Sequence, residues 1–119
     1  MQVLLDTNAL MLPAQFRVDI FSQLAGAEFI VLDASLRELK KLAAGRGKTA
    51  AAAKLALQLI VAKPVRIVKS ARSGDDAILA YATAHRCTVA TNDKELIKAL
   101  QSQGIVVVRM MDKRYLSEG

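Results

Sequence analysis

The 119-residue sequence contains one cysteine, one histidine, two prolines and only 4% aromatic residues. A lone Cys87 excludes an internal disulfide and any paired-cysteine metal site, and it reads as a small buried hydrophobe. The lone His85 falls near the end of an expected helix and reads as a surface cap of the helix dipole. No apolar run reaches membrane-spanning length, and no charged, apolar and small-residue leader opens the chain, so a cytoplasmic protein without a membrane anchor is expected. What is abundant is aliphatic. Hydrophobic residues make up 53%, mostly Ala, Leu, Val and Ile, which suits helices packed on a parallel sheet. The length fits one domain spanning 1–119, with a single core.

The formal net charge is +6. Such an excess favours a polyanionic partner by long-range attraction, although a basic surface can also serve solubility alone. The eleven acids are more informative in their placing than in their number. Asp6, Glu38, Asp75, Asp76 and Asp93 all fall at element boundaries.

The stretch Val3-Leu4-Leu5 is a continuous apolar run, as in a strand buried on both faces, and Asp6 comes where that strand should stop. Thr7 and Asn8 then form a turn that can bond backbone groups or hold Asp6 in one rotamer. From Ala14 the spacing Phe16, Ile20, Phe21, Leu24 predicts a helix with Pro13 in its first turn and Gly26 at its stop. Phe29 to Leu32 is a second buried strand, followed by a helix capped by Asp33 or Ser35, with Leu36, Leu39 and Leu42 inward and Glu38 about one turn inside. The basic stretch Gly45-Arg46-Gly47-Lys48 breaks that helix. An alanine-rich helix follows to Ala62, with Ala52, Leu55 and Leu59 on one side and Pro64 closing it. Val65 to Lys69 is a third strand, and Ser73 or Asp75 opens a helix running to His85. Thr88 to Ala90 is a fourth strand ending at Thr91-Asn92-Asp93, Lys94 to Gln103 a helix, and Ile105 to Val108 a fifth strand before a polar tail. The order βαβααβαβαβ implies a three-layer α/β/α architecture around a parallel sheet of about five strands.

Right-handed crossovers bring the loops after these strands to one edge of the sheet, so the acids can meet in one crevice. Crowded carboxylates raise each other's pKa unless a cation holds them. Oxygen ligands without His or Cys point to Mg²⁺ or Mn²⁺, which can bind a phosphodiester, activate water and offset charge on a leaving oxygen. Each acid also has a plainer role. Asp75 and Asp76 suit an ordinary first helical turn, Asp93 a plain cap and Glu38 a solvated helix face. Asp6, which precedes no immediate helix in this reading, is the one acid that capping leaves unexplained. Lys40, Lys41, Arg46 and Lys48, following Glu38, can neutralise phosphates or simply solvate a helix end and loop. Phe16, Ile20 and Leu24 can pack in the core or form a dimer face. A phosphoacceptor receiver domain shares the acidic edge but calls for a lysine after the last strand, where Arg109 stands.

The order of motifs resembles the PIN-domain ribonuclease family: Leu5-Asp6-Thr7-Asn8-Ala9-Leu10, then Arg37-Glu38-Leu39, then Gly74-Asp75-Asp76-Ala77-Ile78-Leu79-Ala80, then Thr91-Asn92-Asp93. The resemblance runs from Met1 to about Val108. It implies a PIN-like fold and Mg²⁺- or Mn²⁺-dependent cleavage of single-stranded RNA, with Asp6, Glu38, Asp75 and Asp93 at the four acidic positions and Thr7, Asn8, Thr91 and Asn92 in support; Asp76 is an extra acid that could serve as metal ligand beside or in place of Asp75, with the spacing to Asp93 and the following Ala-Ile favouring Asp75. It further implies a homodimer that acts either as the toxin of a toxin–antitoxin pair or in ribosomal RNA processing, partnered by an antitoxin or a ribosome-assembly protein. A non-catalytic RNA-binding or ribosome-assembly subunit retaining the fold is the alternative.

Overall fold

Strand β1 (Gln2–Leu5) stands at the centre of the sheet in the computed structural model, which describes residues 1–111 and 115–118. Val3, Leu4 and Leu5 have no exposed surface, as their unbroken apolar run requires of a strand covered on both faces. Successive side chains point to opposite faces, so Val3 and Leu5 join one hydrophobic cluster and Leu4 the other.

The remaining elements are α1 (Thr7–Phe16), α2 (Ile20–Gln23), β2 (Glu28–Leu32), α3 (Asp33–Ala43), α4 (Gly47–Ala62), β3 (Val65–Val68), α5 (Gly74–His85), β4 (Thr88–Ala90), α6 (Lys94–Ser102), β5 (Val107–Met111) and β6 (Tyr115–Glu118). The sheet order is β3-β2-β1-β4-β5-β6. The first five strands are parallel, and β6 runs antiparallel to β5. The first cluster joins α1 through α4 to one face, and the second joins α5 and α6 to the other. This is the expected three-layer α/β/α arrangement.

Local expectations are corrected at α1, at α3 and in the C-terminal segment. The first helix starts at Thr7, directly after β1, because Asp6 accepts the Ala9 amide proton at 2.7 Å and caps it. The apolar run Ala9 to Leu12 then buries against the core, and Pro13 lies inside the helix rather than in its first turn. Arg17 ends α1 in a left-handed conformation (φ 54°), which separates it from the short α2. Asp33 is the first residue of α3 rather than a side-chain cap. In α4 the buried side chains are Ala50, Ala52, Ala53, Ala56 and Ile60, whereas Leu55 is 36% exposed. That helix contacts both α1 and α3, and methyl-sized side chains permit the close approach. Finally, the segment expected as a polar tail supplies β6, which pairs Arg109 with Ser117 and Met110 with Leu116.

Strand order reverses at β1: β2 and β3 lie to one side, β4 and β5 to the other. The loops leaving the carboxyl ends of β1 and β4 therefore diverge and open a crevice, the usual ligand position in such sheets. No helix among the described residues is long and apolar enough to cross a membrane.

Candidate active site

Asp6 occupies that reversal point and is 6% exposed. Its Oδ1 accepts the Ala9 N–H, and its Oδ2 accepts the hydroxyl of Thr91, which follows β4 and is itself buried. The same Thr91 oxygen accepts the Asp93 amide proton at 3.1 Å. One buried hydroxyl thus ties together the acids that follow two neighbouring strands. Asp93 caps α6 by accepting the Leu96 amide proton at 3.1 Å. Asp75 lies in the first turn of α5, directly after Gly74, whose φ of +62° only glycine adopts without strain. Glu38 projects from α3. Asp6, Thr7, Asn8, Ser35, Glu38, Gly74 and Asp75, with Ala34 and Ile78, line a cleft of about 50 Å³.

The electrostatics of these acids are coupled. Burial, opposed by the bonds from Thr91 and Ala9 and reinforced by the charges of Asp75 and Asp93, pushes the Asp6 carboxyl up to about 6. Asp75 is also raised, first by burial and then by Asp93, Glu38, Asp76 and Glu95. Repulsion of this kind is what clustered anions produce when no cation is beside them. The donor set consists of hard oxygens only, which fits Mg²⁺ or Mn²⁺. Among the described residues, however, no three acidic, histidine or cysteine side chains come together as a ligating group. Oxygens of Asp6 and Asp93 are turned onto backbone amides instead.

Residues 3–113 match the family model of the PIN-like domain. The chain belongs to the PIN-like domain family. It is also 34% identical over 118 residues to Ribonuclease VapC9 of Archaeoglobus fulgidus, an alignment covering 95% of this chain and 86% of that protein.

In this PIN-like chain Asp6 feels the charges of Asp75 and Asp93, and Asp75 those of Asp93 and Glu38; Asp6, Glu38 and Asp75 line one cleft, Asp93 is not among its lining residues, and other residues expected beside them lie apart. Asp76 raises Asp75 but lines a neighbouring groove with Arg72 and Leu79. Asn92 turns to β5, where its Oδ1 accepts the Met110 amide proton at 2.8 Å. Thr7 is buried and Asn8 exposed, both lining the cleft. Lys40 and Lys41 are exposed in the last turn of α3, with Lys41 three residues from Glu38 and so on the same side of the helix. Arg46 caps α4 through its backbone. Lys48 lines a different groove, of about 800 Å³, between the end of α1 and α4, which shares no residue with the acidic cleft. Lys48 thus stands apart from the acids, because α3 leads the chain away from the strand end before α4 begins.

Sequence reading overlooked Ser35, which is buried in the cleft wall. Its signal was present: it precedes Glu38 by three residues and so shares its side of the helix. The role of Asp33 was also misread. Its carboxylate accepts Ser70 N–H at 2.9 Å and Ser70 Oγ–H at 3.0 Å and pairs with Arg37 at 3.1 Å, and these partners hold it below the ordinary carboxylate range, the Ser70 amide most of all.

Proposed function

We propose that this PIN-like chain is a divalent-metal-dependent endoribonuclease acting on single-stranded RNA. The observation that carries the reading is the buried Asp6 at the strand-order reversal, its carboxyl raised to about 6 and exposed to the charges of Asp75 and Asp93. The family and the ribonuclease relative support it. Asp6, Glu38, Asp75 and Asp93 would hold Mg²⁺ or Mn²⁺, partly through water, since Mg²⁺ keeps several waters and the carboxylates do not close into a cage. When bound, the ion supplies an activated water and stabilises the leaving oxygen. Thr91 fixes the Asp6 carboxylate and the Asp93 backbone, Asn8 lines the mouth of the cleft, and Lys40 and Lys41 take RNA phosphates without reading sequence.

The cytoplasmic setting is either that of a toxin held by an antitoxin or that of an RNA-processing nuclease. A protein partner or a second copy of the chain has an apolar surface to use: Phe16 is 38% and Leu55 36% exposed beside the α1–α4 groove, whereas Ile20 is fully buried and belongs to the core. The absence of a closed ligating group among the described residues favours, as a second reading, an RNA-binding subunit without catalysis.

Incubating the purified protein with a labelled single-stranded RNA separates the two. Cleavage is expected in millimolar Mn²⁺ and should stop with EDTA and resume when the ion is restored. RNA binding without cleavage at any Mg²⁺ or Mn²⁺ concentration would favour the non-catalytic subunit.

A further inference from the structure

Tyr81 and His85, one helical turn apart on α5, stack with ring centroids 4.0 Å apart and planes 17° from parallel. His85 Nδ1 lies 3.1 Å from the Tyr81 carbonyl oxygen; an oxygen of this kind only accepts, so Nδ1 donates and the ring is fixed on its neighbour. Tyr81 also packs against the second core cluster, while His85 is exposed. Both rings line a groove of about 220 Å³ whose opposite wall is the loop after β3, carrying Lys69 and Arg72. The loop is held in place. Ser70 donates its amide and hydroxyl to Asp33, and its Oγ lies 3.0 Å from the Arg72 carbonyl oxygen. Asp33 begins α3, the helix that carries Glu38, so groove and acidic cleft share one rigid support.

A local aromatic pair on a helix surface is ordinary in isolation. Here it faces two cations across a walled groove, which combines a base-stacking surface with phosphate contacts, the pairing used by single-strand binders. The position is apt. Tyr81 follows Asp75 by six residues on the same helix, about 9 Å along its axis and about a third of a turn round it, so a strand that curves over α5 can touch both.

We propose that the groove between the β3–α5 loop and α5 is a substrate subsite, in which a base of single-stranded RNA lies against the Tyr81–His85 pair while Lys69 and Arg72 contact its phosphates. The proposal rests on RNA being the substrate and names where a nucleotide away from the scissile bond is held. Stacking on any base is sequence-tolerant, so the subsite adds affinity rather than a recognition sequence.

The test is the affinity of a labelled single-stranded RNA for wild type and variants in EDTA, where the strand is not cleaved, with folding checked by circular dichroism. Tyr81→Ala and His85→Ala should each weaken binding, by about 5- to 150-fold for the loss of a stacked base; Tyr81→Phe should bind as wild type. Replacing Lys69 and Arg72 together by Ala should lower the salt dependence by about 1.4 in log–log slope. If Tyr81→Ala fails to fold, the exposed His85→Ala carries the test. Wild-type affinity and salt slope in His85→Ala and in the Lys69/Arg72 double variant would overturn the subsite. RNA binding that depends on these residues, with no cleavage in Mn²⁺, would uphold the subsite and remove the nuclease; cleavage by wild type with variants indistinguishable in affinity would do the reverse.

Discussion

Asp6 is a helix cap and a candidate metal ligand at once, and its burial sets the energetics of both roles. Its folded pKa of about 6 lies above the ordinary 3.8, so the native state holds its proton more tightly than the unfolded chain does. The associated cost is absent below pH 4, grows between pH 4 and 6, and is complete above, amounting to roughly 3 kcal/mol. In EDTA, wild type should therefore lose stability relative to Asp6→Asn as pH rises through this window, since Asn can still accept the Ala9 amide proton. Urea unfolding of both proteins at pH 4 and pH 7 checks it; parallel pH profiles would show that Asp6 is not strained as an anion. Thr91 gives a second test at this scale. Thr91→Val keeps the shape but strips the hydroxyl from between Asp6 and the Asp93 amide, leaving buried partners unmatched at a cost of about 1–3 kcal/mol. Cleavage should fall as well, because Asp6 and Asp93 lose their common tether, and a rate assay at a temperature where the variant is folded reads that loss separately.

Among the elements, the strands were the most legible and the helix boundaries the least. Val3–Leu5 and Phe29–Leu32 stand out as uninterrupted apolar runs, and both are core strands. The start of α1 was hidden because Asp6-Thr7-Asn8 reads equally as a turn and as a cap with its first helical turn; only tertiary burial of Ala9 to Leu12 decides. With α1 in place, the argument that capping could not explain Asp6 no longer stands, and the weight passes to its burial and its charged neighbours. In the alanine-rich α4 the spacing of Ala52, Leu55 and Leu59 did not tell which side faces the core: Ala52 is buried and Leu59 packs against the core, whereas Leu55 is exposed. Two truncations contrast the cases. Leu39→Ala, at a fully buried position that anchors α3, should cost about 2–5 kcal/mol, whereas Leu55→Ala, at a position 36% exposed, should stay within about 0.5 kcal/mol. Denaturant midpoints of the two variants decide it, and a large loss at Leu55 would contradict the outward placing of that face.

For the whole molecule, the parallel order of the first five strands carried most of the functional information. Once alternating strands and helices are recognised, right-handed crossovers bring the strand ends to one edge, and Asp6, Asp75 and Asp93 follow without any contact being known. What could not be read was long-range pairing: β6 on β5, Asn92 on Met110, and Asp33 on the Ser70 loop each join segments whose sequences announce no partner. The same limit hid the groove beside Tyr81, since a lone histidine near a helix end gives no sign of the cations facing it. The central claim, that the shared acidic edge is a metal-dependent nuclease centre, meets its most direct measurement in Mn²⁺-supported cleavage of a labelled single-stranded RNA by wild type, Asp6→Asn and Asp93→Asn at matched purity. The account predicts cleavage by wild type and none by either variant, with circular dichroism and gel-filtration behaviour unchanged. Undiminished cleavage by a folded Asp6→Asn would contradict it.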